Sequence, residues 1–251
     1  MKISINTNCL FGDAPLSESL ASMRSLGYSV IEKWSVTDTQ AGGLKALMDA
    51  YGVCMSAFCT DCFTLNDATF HDAYERDISN AIARAGRLGC PALITQVGQD
   101  TLQPQAMQHD TIVLGLKRVA PLLEKAGVTL LVEPLNTVKD HPGYYLSDSE
   151  EGFAIIRETG SPGIKLLYDI YHQLHMGEDV LRRIEDNLDL IGHFHAAGFP
   201  DRDDSLFTGF DYRKFFELIR QNHSQIPIGL ELFPASKERA GSLLQALSVY
   251  L

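Results

Sequence analysis

Residues 127–172 read GVTLLVEPLNTVKDHPGYYLSDSEEGFAIIRETGSPGIKLLYDIYH, and this stretch decides the fold. Near its start lies TLLVE and near its end IKLLY, two almost continuously apolar runs. Strands buried on both faces of a parallel sheet read this way, whereas a half-wet strand alternates apolar with polar residues. Between them come a loop, NTVKDHPGYYL, and a helix-period segment, SEEGFAIIRETG, which Asp148 can cap with Glu151 as its capping-box partner. Strand, helix and strand in that order make one right-handed βαβ unit.

The same alternation extends to both ends of the chain. Strand-like runs fall at 3–8, 29–34, 55–59, 92–97, 129–135, 164–171, 191–196 and 228–232. Helix-period segments separate them: LSESLASMRSLG follows Pro15 and stops at Gly27, 71–88 stops at Gly89, and 105–126 stops at Gly127. Eight units in 251 residues average about 31 each, the size of a βα repeat in a closed barrel. The expected fold is therefore a (β/α)₈ TIM barrel, α/β class, as a single domain over 1–251. A doubly wound open sheet is the alternative, but no G-x-G-x-x-G follows the first strand.

Composition narrows the function classes. The chain is 45% hydrophobic and 21% charged, ordinary for a soluble globular protein, and no 18-residue apolar stretch suggests a membrane span. A formal net charge of −11 without a basic stripe argues against nucleic acid as a partner. The start, MKISINTNCLFGDAP, reads directly as a first strand rather than a signal peptide. Five cysteines without a secretory signal point to reduced thiols in the cytoplasm. Cys59 and Cys62 form a lone C-x-x-C, read as ordinary loop side chains rather than a redox or zinc motif. A homo-oligomer is left open.

Four metal-type ligands stand at or near the C-terminal ends of the last four strands: Glu133, Asp169, His195 and Glu231, spaced 36, 26 and 36 residues apart. That end of the barrel is where such folds carry their chemistry. Each alone has an even chance of being a satisfied buried group, but four on successive strands make coincidence a poor explanation. Three carboxylates in one small volume need a compensating cation, and oxygen-rich ligation with one imidazole suits one divalent ion, Mn²⁺ or Mg²⁺, with Co²⁺ and Zn²⁺ also admissible. Around them, His172 lies three residues after Asp169 and Arg202 follows strand seven. Lys139, Tyr144 and Tyr145 occupy the loop after strand five, where lids commonly form. Trp34 ends strand two and is expected as an apolar wall. His193, on the same strand face as His195, is expected to support it at most. Each of these has a credible reading as a packing or surface residue, which is the favoured one for Lys139.

At these residues the chain resembles the xylose-isomerase-like TIM barrels, and among them the hydroxypyruvate isomerase family. LVEPLNTVKDHPGYYL is similar to that family's glutamate strand and lid loop, and GSPGIKLLYDIYHQLHMGED to its aspartate segment with D-x-x-H. IGHFHAAGFPDR and IGLELFP occupy the places of its seventh and eighth strand motifs; the likeness is clear from about Leu131 to Pro234. The resemblance implies that Glu133 and Glu231 bind the metal and move protons, that Asp169 completes the site, and that His172 and Arg202 contact substrate. It implies an isomerase of small hydroxy-carbonyl compounds working through a cis-enediolate. Reprotonation at the neighbouring carbon interconverts hydroxypyruvate and tartronate semialdehyde, whereas reprotonation of the same carbon from the opposite face makes a ketose 3-epimerase. Two departures bear on the choice. His195 stands where hydroxypyruvate isomerases usually carry Gln and ketose 3-epimerases His, and DDSLFTGFDY places Phe210 near a family Glu. A three-carbon acid also needs a cation, for which Arg202 and Lys139 are the candidates. An abasic-site endonuclease on the same barrel would call for more histidines and a basic footprint.

Overall fold

In the computed structural model, which describes residues 1–250, eight parallel strands close into one barrel in chain order. Leu251, the last residue of the expected domain, lies outside the described residues. The strands are β1 (Ile3–Asn6), β2 (Val30–Lys33), β3 (Cys54–Cys59), β4 (Ala92–Thr95), β5 (Thr129–Val132), β6 (Ile164–Asp169), β7 (Ile191–Ala196) and β8 (Ile228–Leu230). Pairing of Ile3 with Ile228 and Ile5 with Leu230 joins β1 to β8, which rules out the open sheet.

The main core lies between the strands and the surrounding helices, filled by residues such as Phe58, Leu93, Leu130, Leu166 and Phe194. A smaller, separate cluster comes from β3 to β6: Ala57, Ala92, Ile94, Leu131 and Leu167. Side chains two apart on a strand share a face, so Leu131 lies one pleat below Glu133 and Leu167 one below Asp169. This apolar layer is the floor on which the polar groups stand. The helices His71–Leu88 and Gln105–Ala126 end at Gly89 and Gly127, whose φ of 67° and 65° are left-handed C-caps that glycine adopts without strain.

Three local expectations are corrected. The first strand stops at Asn6, not at 8, because the Asn6 side chain accepts the Asn8 and Cys9 N–H groups and opens a short helix, Thr7–Phe11. The sixth stops at Asp169, not at 171, because Asp169 likewise caps the helix Ile170–His175. Asp148 does cap Ser149–Thr159, but Glu151 does not complete a capping box: its Oε1 takes the Tyr145 hydroxyl at 3.1 Å and lies 2.8 Å from His109 Nδ1. Among the described residues no helix is long and apolar enough to cross a membrane.

Candidate active site

The C-terminal mouth of the barrel gathers Glu133, Asp169, His195 and Glu231, all buried, with one ligating atom of each within 4.8 Å of the others. Strand register explains the convergence. Asp169 pairs with His195, and His195 with Gly229, so these positions form one row across β6, β7 and β8. Glu231 follows two residues after Gly229 on the same face, and Glu133 follows directly on β5.

His195 lies at the centre. Its Nδ1 is 2.8 Å from Glu231 Oε2, 3.5 Å from Glu133 Oε1 and 3.8 Å from Asp169 Oδ2. Neither ring nitrogen makes a hydrogen bond of good geometry, although both are buried. A buried nitrogen facing three carboxylates without a proper hydrogen bond has the environment of a metal ligand, so the four residues fit a divalent cation.

Each carboxylate has a distinct setting. Asp169 divides its oxygens: Oδ1 accepts the Tyr171 and His172 N–H groups, and Oδ2 accepts from Arg202 at 2.8 Å. Glu231 accepts from Arg202, from the Trp34 indole N–H at 2.5 Å and from Asn6 at 3.4 Å. Among the described residues the Glu133 carboxylate accepts only from Gln96, at 3.3 Å, and the buried Tyr144 hydroxyl holds its backbone carbonyl at 3.0 Å. Burial pushes the Glu133 carboxyl above its ordinary range, with repulsion from Glu231 and Asp169 adding to it. Burial acts the same way on Glu231, but His195 and Arg202 outweigh it and hold that carboxyl well below the usual range. The two glutamates thus sit in opposite electrostatic settings.

His172 Nδ1 accepts the Asn136 backbone N–H at 3.2 Å and lies 2.7 Å from the Asn136 side-chain amide, while its Nε2 lies 3.2 Å from Arg202 Nη1 and 3.5 Å from Asp169 Oδ2. Burial lowers its pKa to about 3, which leaves the ring neutral. Arg202 adopts a left-handed φ of 54°, unusual for a side chain of its size, and lies over the Tyr171 ring at 4.7 Å.

Glu133, His195 and Glu231 border a cavity of about 310 Å³, at the small end for ligand pockets. Trp34, His172 and Arg202 line it as the sequence suggests, with Trp34 also donating to Glu231 rather than acting only as a wall. Lys139 and Tyr145 do not line it. Lys139 Nζ turns to the Pro200 carbonyl and Asp201, and the Tyr145 hydroxyl to Gln105 and Glu151. Cys59 and Cys62 are free thiols; Cys59 faces the cavity, and burial pushes its thiol well above its ordinary value.

Glu32 is one site residue that sequence reading missed. It is fully buried on β2; its Oε2 lies 2.9 Å from His193 Nε2 and its Oε1 3.5 Å from His195 Nε2. The signal was present, a charged residue inside the apolar run VIEKW, but it stands 161 residues before His193 and 163 before His195. Gly229 makes room for it, since a Cβ there would meet Glu32 Oε1 at 2.0 Å.

A model of the xylose isomerase-like TIM barrel family matches residues 20–249. The 2-oxo-tetronate isomerase of Cupriavidus necator is 25% identical over 253 residues, spanning 96% of this chain and 95% of that protein. The hydroxypyruvate isomerase of Escherichia coli is 28% identical over 181 residues, 72% of this chain and 68% of that protein. Among solved structures, an AP endonuclease, family 2, from Brucella melitensis superposes with a TM-score of 0.92 at 21% identity, over 99% of this chain and 98% of that one. At that identity the likeness is one of fold.

Proposed function

The chain belongs to the family of xylose isomerase-like TIM barrels, and from that premise we propose that it is a metal-dependent isomerase of small hydroxy-carbonyl acids, interconverting hydroxypyruvate and tartronate semialdehyde. The observation that carries the reading is the ring of Glu133, Asp169 and Glu231 around His195 Nδ1 at the mouth of a small cavity. The names of two relatives, a 2-oxo-tetronate isomerase and a hydroxypyruvate isomerase, support the same chemistry.

Glu133, Asp169, His195 and Glu231 would hold one divalent ion, Mn²⁺ or Mg²⁺ by their donor set, with Co²⁺ or Zn²⁺ also compatible. When bound, it would withdraw charge from adjacent substrate oxygens and so acidify the proton α to the carbonyl. Glu133 and Glu231 are the proton carriers: one takes the C3 proton of hydroxypyruvate, leaving a cis-enediolate, a glutamate delivers a proton to C2, and the hydroxyl proton passes from the C3 oxygen to the C2 oxygen to give tartronate semialdehyde. His172 lines the cavity as a substrate contact, and Arg202, held by Asp169 and Glu231, adds positive charge beside the developing negative charge. Trp34 holds Glu231 in orientation.

A ketose 3-epimerase is the second reading, and His195 is what favours it. The test is a panel of hydroxypyruvate, tartronate semialdehyde, fructose, psicose and tagatose in D₂O, followed by NMR. Exchange and isomerisation of hydroxypyruvate well above the ketoses supports the first reading. Rapid ketose epimerisation with inert hydroxypyruvate replaces it with the second.

A further inference from the structure

Hydroxypyruvate carries a carboxylate into a site already crowded with carboxylates, so a cation must receive it. The sequence points to Arg202 and Lys139, and the structure commits both elsewhere. Arg202 is bonded to Asp169 and Glu231, and Lys139 Nζ to Asp201 and the Pro200 carbonyl, outside the cavity lining. His141 and His172, which also line the cavity, are both disfavoured as cations by burial.

Lys33, the last residue of β2, is different. It lines the same cavity as Glu133, His172 and Glu231. Its ammonium has a single hydrogen-bond partner, Thr7 Oγ1 at 3.3 Å, and among the described residues no carboxylate forms an ion pair with it. An ammonium has three donors, so two are free for a ligand. We propose that Lys33 is the anchor for the substrate carboxylate, making the cavity a site for a short 2-oxo or 2-hydroxy acid rather than for an uncharged sugar. The substrate's anionic end docks at Lys33 while its hydroxy-carbonyl end reaches Glu133 and Glu231. Burial lowers the Lys33 pKa, and a docked anion offsets that cost by supplying the missing counter-charge.

This assignment rests on the reading of the chain as an isomerase of hydroxypyruvate, and the experiment separates the two. The probes are hydroxypyruvate and dihydroxyacetone, which differ only in the replacement of carboxylate by hydroxymethyl. With Mn²⁺-loaded protein, kcat/KM is measured for each substrate in wild type, Lys33→Met and Lys33→Arg, and hydroxypyruvate binding is followed by calorimetry. The expected result is that Lys33→Met lowers the preference for the acid over dihydroxyacetone roughly 10- to 100-fold, the range for a lost charged hydrogen bond. Lys33→Arg, which keeps the charge, should restore most of that preference, and metal content should not change. If wild type turns over hydroxypyruvate and Lys33→Met keeps the wild-type preference, the anchor is wrong and the isomerase reading stands. A wild-type protein that neither binds nor turns over hydroxypyruvate overturns both.

Discussion

Glu32 places its Oε1 3.5 Å from His195 Nε2, on the side of the imidazole opposite the three carboxylates that face Nδ1. Its other oxygen is held by His193 at 2.9 Å. At 3.5 Å the Glu32 charge acts on the imidazole electrostatically, favouring a proton on Nε2 and leaving the Nδ1 lone pair for the proposed cation. Glu32→Gln should therefore weaken Mn²⁺ binding by about 10- to 100-fold. Calorimetric titration of the chelated protein measures this, and unchanged affinity would show that Glu32 has only a packing role.

Gly229 makes that arrangement possible. A Cβ at this position would meet Glu32 Oε1 at 2.0 Å and His195 Cδ2 at 2.8 Å. Gly229→Ala should cost about 1–3 kcal/mol of stability through overpacking. It should also weaken metal binding, because the displaced group is the brace. Urea unfolding gives the first quantity and metal titration the second; a variant with wild-type values in both would contradict the close approach.

Arg202 supplies positive charge to Asp169 and Glu231 without being a ligand itself. Arg202→Ala should lower kcat/KM by roughly 10-fold or more, as expected for a lost charged hydrogen bond. The variant should retain its metal at least as tightly as wild type, because two carboxylates lose a competing partner. Loss of metal from it would mean that Arg202 helps to build the ligand set.

His172 binds its proton more weakly folded, with a pKa of about 3, than at the ordinary value of 6.5. Between those values the unfolded chain takes up the proton and the folded chain does not, so stability rises with pH across that window. The contribution is complete above pH 6.5 and declines progressively as pH falls toward about 3. His172→Asn should flatten the pH dependence of the urea midpoint between about pH 4 and 6.5. Parallel slopes for the two proteins would show that the buried ring does not titrate in this way.

The strands were legible because parallel strands covered on both faces have no polar alternation to hide them. Glu133, Asp169, His195 and Glu231 were legible for the same reason: an ionisable group closing an apolar run has no local explanation. Glu32 shows the same signal, but its partners come from β7, and only the closed barrel brings the two strands to one lumen. Lys33 was hidden because a lysine at a strand end reads as a solvated side chain, and only the cavity shows that it is not. Lys139, favoured in the sequence as a surface residue, and Tyr145 point away from the cavity, a direction that loop composition does not encode. Asp201 and Glu151, their actual partners, lie on segments packed against the loop.

The most direct test of the account is deuterium exchange at C3 of hydroxypyruvate, followed by NMR before and after exhaustive chelation. The account predicts about one divalent ion per chain in active protein, exchange that stops on chelation, and recovery with Mn²⁺ or Mg²⁺. Glu133→Gln and Glu231→Gln should each slow exchange at least ~10²-fold with the fold intact. Undiminished exchange by protein shown to contain no metal would contradict the central claim.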